Sequence, residues 1–230
     1  MERSTVFQTD RAIVQAEFIR RVYNWMALGL AVTAITALFA VNSGLVYSLL
    51  NGMVMMVLVI AELGIVIALS AAIGRIQSST ALLMFFGYSF LNGLTLSAIF
   101  LIYTRASIAS TFFITAGTFA AMSIYGYTTK RDLTSIGSFF MMGLIGIIIA
   151  SFINFFLRSP AVYWLITYAG IAIFVGLTAY DAQKIKEMAY AGFGGYEEER
   201  KGAVIGALRL YLDFINLFLL LLRIFGRRSN

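Results

Sequence analysis

Seven apolar runs, each about as long as a membrane-crossing helix, take up nearly the whole of this chain, and that pattern leaves it few possible folds. A helix crossing a bilayer needs about 20 mostly apolar residues. The runs lie at about 22–41, 53–73, 81–103, 107–127, 135–157, 161–183 and 203–224. In hydrocarbon every backbone polar group must be satisfied internally, so continuous runs of this kind are helical. Only 12% of the residues are charged and 60% are hydrophobic, whereas soluble domains carry about 25% charged residues. Little is left for a water-facing domain. The pattern also argues against an outer-membrane barrel, whose strands alternate polar and apolar positions. The expected fold is all-α, a polytopic membrane protein of seven transmembrane helices. We divide it into a cytoplasmic N-terminal tail (1–21), a transmembrane domain (22–226) and a short basic C-terminal tail (227–230).

What the chain lacks narrows its chemistry. It has no cysteine, so it has no disulfide framework, thiol nucleophile or thiolate metal site. It has no histidine, which removes the usual general base, the commonest zinc ligand and the usual switch near neutral pH. The expectation is a protein that is not an enzyme and carries no cofactor. Net charge is +6, and a basic membrane protein is usually basic through its cytoplasmic loops. No basic stretch is long enough to make nucleic acid a partner; the lipid bilayer is the expected one. The first 21 residues lack the apolar core of a removable signal peptide. With the N-terminus inside, eleven basic residues face inward: Arg3, Arg11, Arg20, Arg21, Arg75, Lys130, Arg131, Lys184, Lys186, Arg200 and Lys201. Arg105 and Arg158 face outward, so the N-terminus is expected in the cytoplasm. Arg227 and Arg228 break the rule if the last span crosses fully.

An ionisable side chain inside a span costs several kcal/mol and is a functional candidate by default. Glu62, Asp181, Arg209, Asp213 and Arg223 are the candidates, with Arg75 at the inner end of the second span. Asp181 lies near the cytoplasmic end of the sixth span. Asp213 is about 15 Å into the last one. If that last helix starts near Gly206, the two aspartates come level. Two close carboxylates in a low-dielectric site share a proton, which would give a histidine-free chain a group titrating near neutrality. A structural reading stands beside this one. Arg209 and Asn216 lie four residues before and three after Asp213 and can bond it locally. Asp181 can sit at headgroup level beside Lys184 and Lys186. Glu62 is about 20 Å outward of Arg75, and Arg223 about 15 Å outward of Asp213. Their opposite charges at one level lead to the expectation that they pair, fastening the second span to the last.

Four segments carry a resemblance. Gly176-Leu177-Thr178-Ala179-Tyr180-Asp181-Ala182-Gln183 resembles the sixth-span motif of the Bax inhibitor-1 family, and Leu210-Tyr211-Leu212-Asp213-Phe214-Ile215-Asn216-Leu217-Phe218 its last-span motif. Asn92-Gly93-Leu94-Thr95-Leu96-Ser97 and Tyr125-Gly126-Tyr127-Thr128-Thr129-Lys130-Arg131-Asp132-Leu133 are similar to its third span and the loop after its fourth. The pattern is most like the bacterial inner-membrane members. The resemblance implies a seven-helix fold with the last helix central and a pH-sensitive calcium leak as the activity. Its aspartate pair falls on Asp181 and Asp213. A basic residue on the second span latches that pair in the closed state, and Arg75 is the candidate here. The Gly-rich acidic stretch from Gly192 to Glu199 matches no family motif.

The leading expectation is therefore a channel with calcium as the permeant ion, protons as regulators and protein partners unknown. Calcium prefers six to eight oxygens. Asp181 and Asp213 with Asn216, Thr178 and backbone carbonyls make only a weak, transient site, which suits permeation. The alternative is a proton-coupled cation exchanger, although the broken helices expected of a transporter are not seen. An intramembrane aspartic protease would also need two aspartates, but its Gly-x-Gly-Asp and Pro-Ala-Leu signatures are missing and Pro160 is the only proline. A retinal protein needs a lysine inside a helix, and all four lysines are read as lying in loops.

Overall fold

The computed structural model describes the backbone over residues 2–229 and side chains over 13–229. The helices, in chain order, are α1 (Glu2–Asn42), α2 (Leu45–Leu49), α3 (Gly52–Ala72), α4 (Ser78–Leu96), α5 (Ile99–Ile102), α6 (Arg105–Thr128), α7 (Thr134–Leu157), α8 (Pro160–Ala191) and α9 (Tyr196–Phe225). Seven spans are long and apolar enough to cross a membrane, α4 and α5 together forming one of them. The expected all-α, seven-span architecture is the one observed. Among the described residues β pairing is limited to an isolated antiparallel bridge between Tyr103 and Arg228.

Local chemistry sets the helix ends. The Asn51 side chain caps α3 by accepting from the Met53 N–H at 3.0 Å, and Thr104 caps α6 by accepting from the Ser107 N–H at 3.3 Å. Arg158 ends α7 in the left-handed region (φ 50°). Asn154 Oδ1 then accepts from the Ser159 N–H at 3.0 Å, and Pro160 opens α8, where its missing N–H is harmless.

Two helices run past the ends of their apolar runs. α1 is continuous through residues 13–21, with Phe18 already buried. The side chains of the remaining tail, residues 1–12, lie outside the described residues. The long connection expected over 184–202 shrinks to residues 192–195, because α8 continues to Ala191 and α9 starts at Tyr196. Lys184, Lys186 and Lys201 therefore sit on helix ends rather than in a loop. Hydropathy marks where a chain leaves hydrocarbon, whereas backbone hydrogen bonding carries a helix past that point into polar surroundings.

The chain forms two compact units. The first takes the residues up to Ile102 with Lys186–Tyr211 and Ser229; the second takes Tyr103–Ile185 with Leu212–Arg228. α9 contributes to both and is the interior helix: 72% of its apolar window is buried, against 6% for α3 and α7. In the first unit α1 packs closely on α4. A Cβ on Gly29 would meet the Phe85 ring at 2.6 Å, and one on Gly93 would meet the Thr33 carbonyl at 2.6 Å. In the second unit a Cβ on Gly126 of α6 would collide with the Ala179 backbone of α8, and one on Gly176 with the Phe140 ring. Lipid gives helices no hydrophobic reason to associate, so small residues that admit close backbones carry much of the packing.

Candidate functional site

Asp181 and Asp213 are both buried in the second unit, at 6% and 4% exposure. Their relative height follows from the packing of α8 on α9. Ile173, Phe174 and Leu177 form one buried cluster with Leu217, Leu220 and Leu221, and a Cβ on Gly170 would touch Leu220 at 2.8 Å. Rising numbers on α8 match falling numbers on α9, and the Gly170–Leu220 contact sets the register. Asp181 then stands within about one turn, about 6 Å, of the level of Asp213 on the adjoining antiparallel helix.

The residues expected to support them are occupied locally. The fully buried Thr178 hydroxyl donates to the Phe174 carbonyl at 2.7 Å, and Asn216 Nδ2 donates to the Leu212 carbonyl at 2.8 Å. Arg209, four residues before Asp213, is exposed. Arg75 is exposed on the turn after α3, where its N–H donates to the Ala72 carbonyl at 2.8 Å. Beside Asp181, Gln183 acts as a clamp. Its Oε1 accepts from the Leu133 N–H and its Nε2 donates to the Arg131 carbonyl, both at 2.8 Å, which ties α8 to the loop before α7. In that loop, hydrogen bonds from Thr134 hold the Asp132 carboxyl below the usual carboxylate range.

The first unit holds a second buried acid. Glu62 of α3 accepts from Thr95 Oγ1 at 2.8 Å and from Asn92 Nδ2 at 3.2 Å, both on α4. Asn92 Oδ1 in turn accepts from the Tyr211 hydroxyl of α9 at 3.0 Å. That hydroxyl lies 2.7 Å from Thr33 Oγ1 of α1, which also reaches the Ser89 carbonyl at 2.8 Å. Four helices are joined by one polar chain with Tyr211 at its hub. At the polar end of the same unit the acidic stretch is pinned. Glu197 accepts from the Ser78 N–H and hydroxyl at the start of α4, Glu199 lies 3.2 Å from the Arg21 guanidinium, and Phe193 packs on Phe18 with ring centroids 4.8 Å apart.

Within its own unit each member of the expected Glu62–Arg223 pair has a partner. Glu62 takes its donors from α4, and the Arg223 guanidinium lies 4.9 Å from the Tyr163 ring centroid. Opposite charge and equal depth made the pair plausible. Neutral donors satisfy a buried carboxylate without a second desolvated ion, and an aromatic face holds a guanidinium. We accordingly expect Glu62→Gln to change stability by less than about 1 kcal/mol, while Glu62→Leu strands Asn92 and Thr95 and costs about 1–3 kcal/mol. Thermal unfolding in detergent checks this: a severe Gln variant would restore the ion pair.

Asn92, Thr95, Gln183 and Tyr211 were not singled out by depth arguments, because each is uncharged. All four fall inside the quoted motifs, the one signal that held them.

Buried carboxylates on α3, α8 and α9, within seven membrane-length helices, define a multi-pass membrane protein whose interior chemistry is acidic. Comparison gives the family. The family model described as Inhibitor of apoptosis-promoting Bax1 matches residues 15–230, and the chain belongs to that family, the Bax inhibitor-1 family. It is 52% identical over 229 residues to "Inner membrane protein YbhL" of Escherichia coli K12, covering 98% of this chain and 97% of the relative. An uncharacterized protein of Borreliella burgdorferi is 46% identical over 225 residues, covering 97% of each. Protein RP147 of Rickettsia prowazekii is 46% identical over 217 residues, covering 93% of this chain and 90% of its own length.

Proposed function

We propose that this protein is a pH-sensitive, calcium-permeable leak channel of the bacterial inner membrane, gated by protonation of the Asp181–Asp213 pair. One observation supports the reading: two aspartates are buried within about one turn of each other's level on adjoining antiparallel helices, in a chain of this family. Carboxylates so placed bind a divalent cation weakly, too few oxygens being at hand for a tight cage, and a weak site lets an ion leave as well as enter. Protonation removes their attraction for the cation and for Arg75 together, a local charge change acting on a two-state element. Arg75 is the latch of the closed state. The membrane assignment draws on the inner-membrane name of the Escherichia coli relative and on the seven apolar spans. The basic residues, eleven on one side against Arg105 and Arg158 on the other, put the N-terminus in the cytoplasm.

The test is calcium flux into liposomes carrying the purified protein, with and without an imposed pH gradient. A channel passes calcium down its own gradient whether or not a proton gradient is present. Calcium accumulation against its gradient, driven by protons, would assign an exchanger instead, and no flux above empty liposomes would remove the proposal.

A further inference from the structure

The second unit contains two buried hydroxyls whose oxygens have no hydrogen-bond partner, Thr111 and Ser123 of α6, at 0% and 6% exposure. Their neighbours on the same helix behave differently. Thr115, Thr118 and Thr128 each donate to the carbonyl four residues back, at 2.8, 3.0 and 2.7 Å. That local bond is the ordinary way for a hydroxyl to survive in a lipid-bathed helix. An orphan hydroxyl in a dry interior costs about 1–3 kcal/mol, and buried polar groups lacking protein partners are commonly met by water.

The two orphans lie on one winding face. Ser107, Thr111, Thr115, Phe119 and Ser123 follow at intervals of four, all buried, and the row turns about 40° per step, so Thr111 and Ser123 stand about 120° apart around α6. Ring contacts fix the height of this face against α9. Phe119 packs on Phe214 at 5.6 Å, and Phe112 on Phe214 at 5.3 Å and on Phe218 at 6.2 Å, so α6 and α9 run antiparallel with Phe214 between the two α6 rings. One turn beyond Phe119, Ser123 comes opposite the turn of α9 before Phe214, about one turn from Asp213. Thr111 lies 12 residues away, about 18 Å toward the Arg105 end of α6. Between them Phe119 and Phe214 close edge to face. A hydrophobic constriction between wetted stretches gates by dewetting.

We propose that this face of α6 is the wetted wall of the conduction path, with Thr111 and Ser123 holding water on either side of a dry Phe119–Phe214 constriction. Passage of a hydrated cation along it rests on the channel reading above; the wetting itself does not.

The chain has no cysteine, so single-cysteine labelling has no background. Thr111→Cys and Ser123→Cys, in membranes, should react with a small charged methanethiosulfonate reagent at least about tenfold faster than Thr118→Cys, since only a hydrated thiol ionises. Thr118 is half-buried on the same helix and bonded to the Ile114 carbonyl. Reaction at 111 and 123 as slow as at 118, with wild-type thermal unfolding, overturns the proposal. Thr111→Val gives a second readout should the cysteine variants fail to fold. A wetted hydroxyl predicts calcium flux at least about threefold lower. Unchanged flux with a higher Tm shows a dry orphan relieved of its penalty and also overturns the proposal. Labelling needs no permeant ion, so a chain that labels at both positions but leaks no calcium loses the channel reading and keeps the wetted face.

Discussion

In liposomes, Asp181→Asn and Asp213→Asn are each expected to flatten the pH dependence of calcium flux across about pH 6 to 8. A group titrating inside that window changes its protonation ratio tenfold per pH unit. Wild-type flux should therefore vary by up to about tenfold per unit, and flux through either variant by less than about twofold. The reason is that two adjacent carboxylates in a low-dielectric interior titrate as a pair and share one proton, whereas a single one has no partner to hold it in the neutral range. Both positions are buried and within about one turn of one level, so either substitution should suffice. In the same assay Arg75→Ala should raise basal leak at neutral pH by removing the latch. Full pH dependence in both Asn variants would end the assignment of the pair, even with wild-type flux intact.

Gly126→Ala is expected to be the most damaging small substitution in the second unit. The added Cβ would fall on the Ala179 carbonyl and Cα, which are main chain and cannot turn aside, so α6 and α8 must separate. Overpacking of this kind costs about 1–3 kcal/mol and occasionally more. It would also move Asp181, two residues beyond Ala179. Gly146→Ala on α7 is the control: nothing lies within 4 Å of its Cβ, so stability should hold or rise slightly. Thermal unfolding of the two variants in detergent decides the matter. Equal melting temperatures would show that α6 and α8 do not meet at Gly126.

Much of the architecture was legible in the chain because the bilayer is an undemanding reader. Run length and the scarcity of charge located all seven spans, since a span needs only enough apolar length and no exposed backbone. The helix ends were less legible. α8 continues past Asp181 to Ala191 and carries Lys184 and Lys186 on its last turns, where hydropathy had marked a loop. The buried acids Glu62, Asp181 and Asp213 stood out by charge and depth alone, for a carboxylate inside a span is rare.

Partner choice among buried polar groups is a different matter. Depth and charge matched Glu62 with Arg223, yet Glu62 lies against Thr95 and Asn92, and Arg223 over the Tyr163 ring. The one-dimensional pattern states how deep a residue sits but not which way it faces around its helix, and a rotation of one residue, about 100°, exchanges one neighbour for another. For the same reason Tyr211, which reads as one more aromatic in an apolar run, emerged as the hub joining Thr33 and Asn92. Thr111 and Ser123 likewise could not be told from Thr115 or Thr118 by composition. By itself the sequence determined membrane insertion, the number of spans and the identity of the buried acids, all properties of composition along a line. Which helices touch, which donors meet each acid and which hydroxyls are left without a protein partner were decided only by tertiary packing, because they depend on the rotation and separation of helices around close glycine contacts.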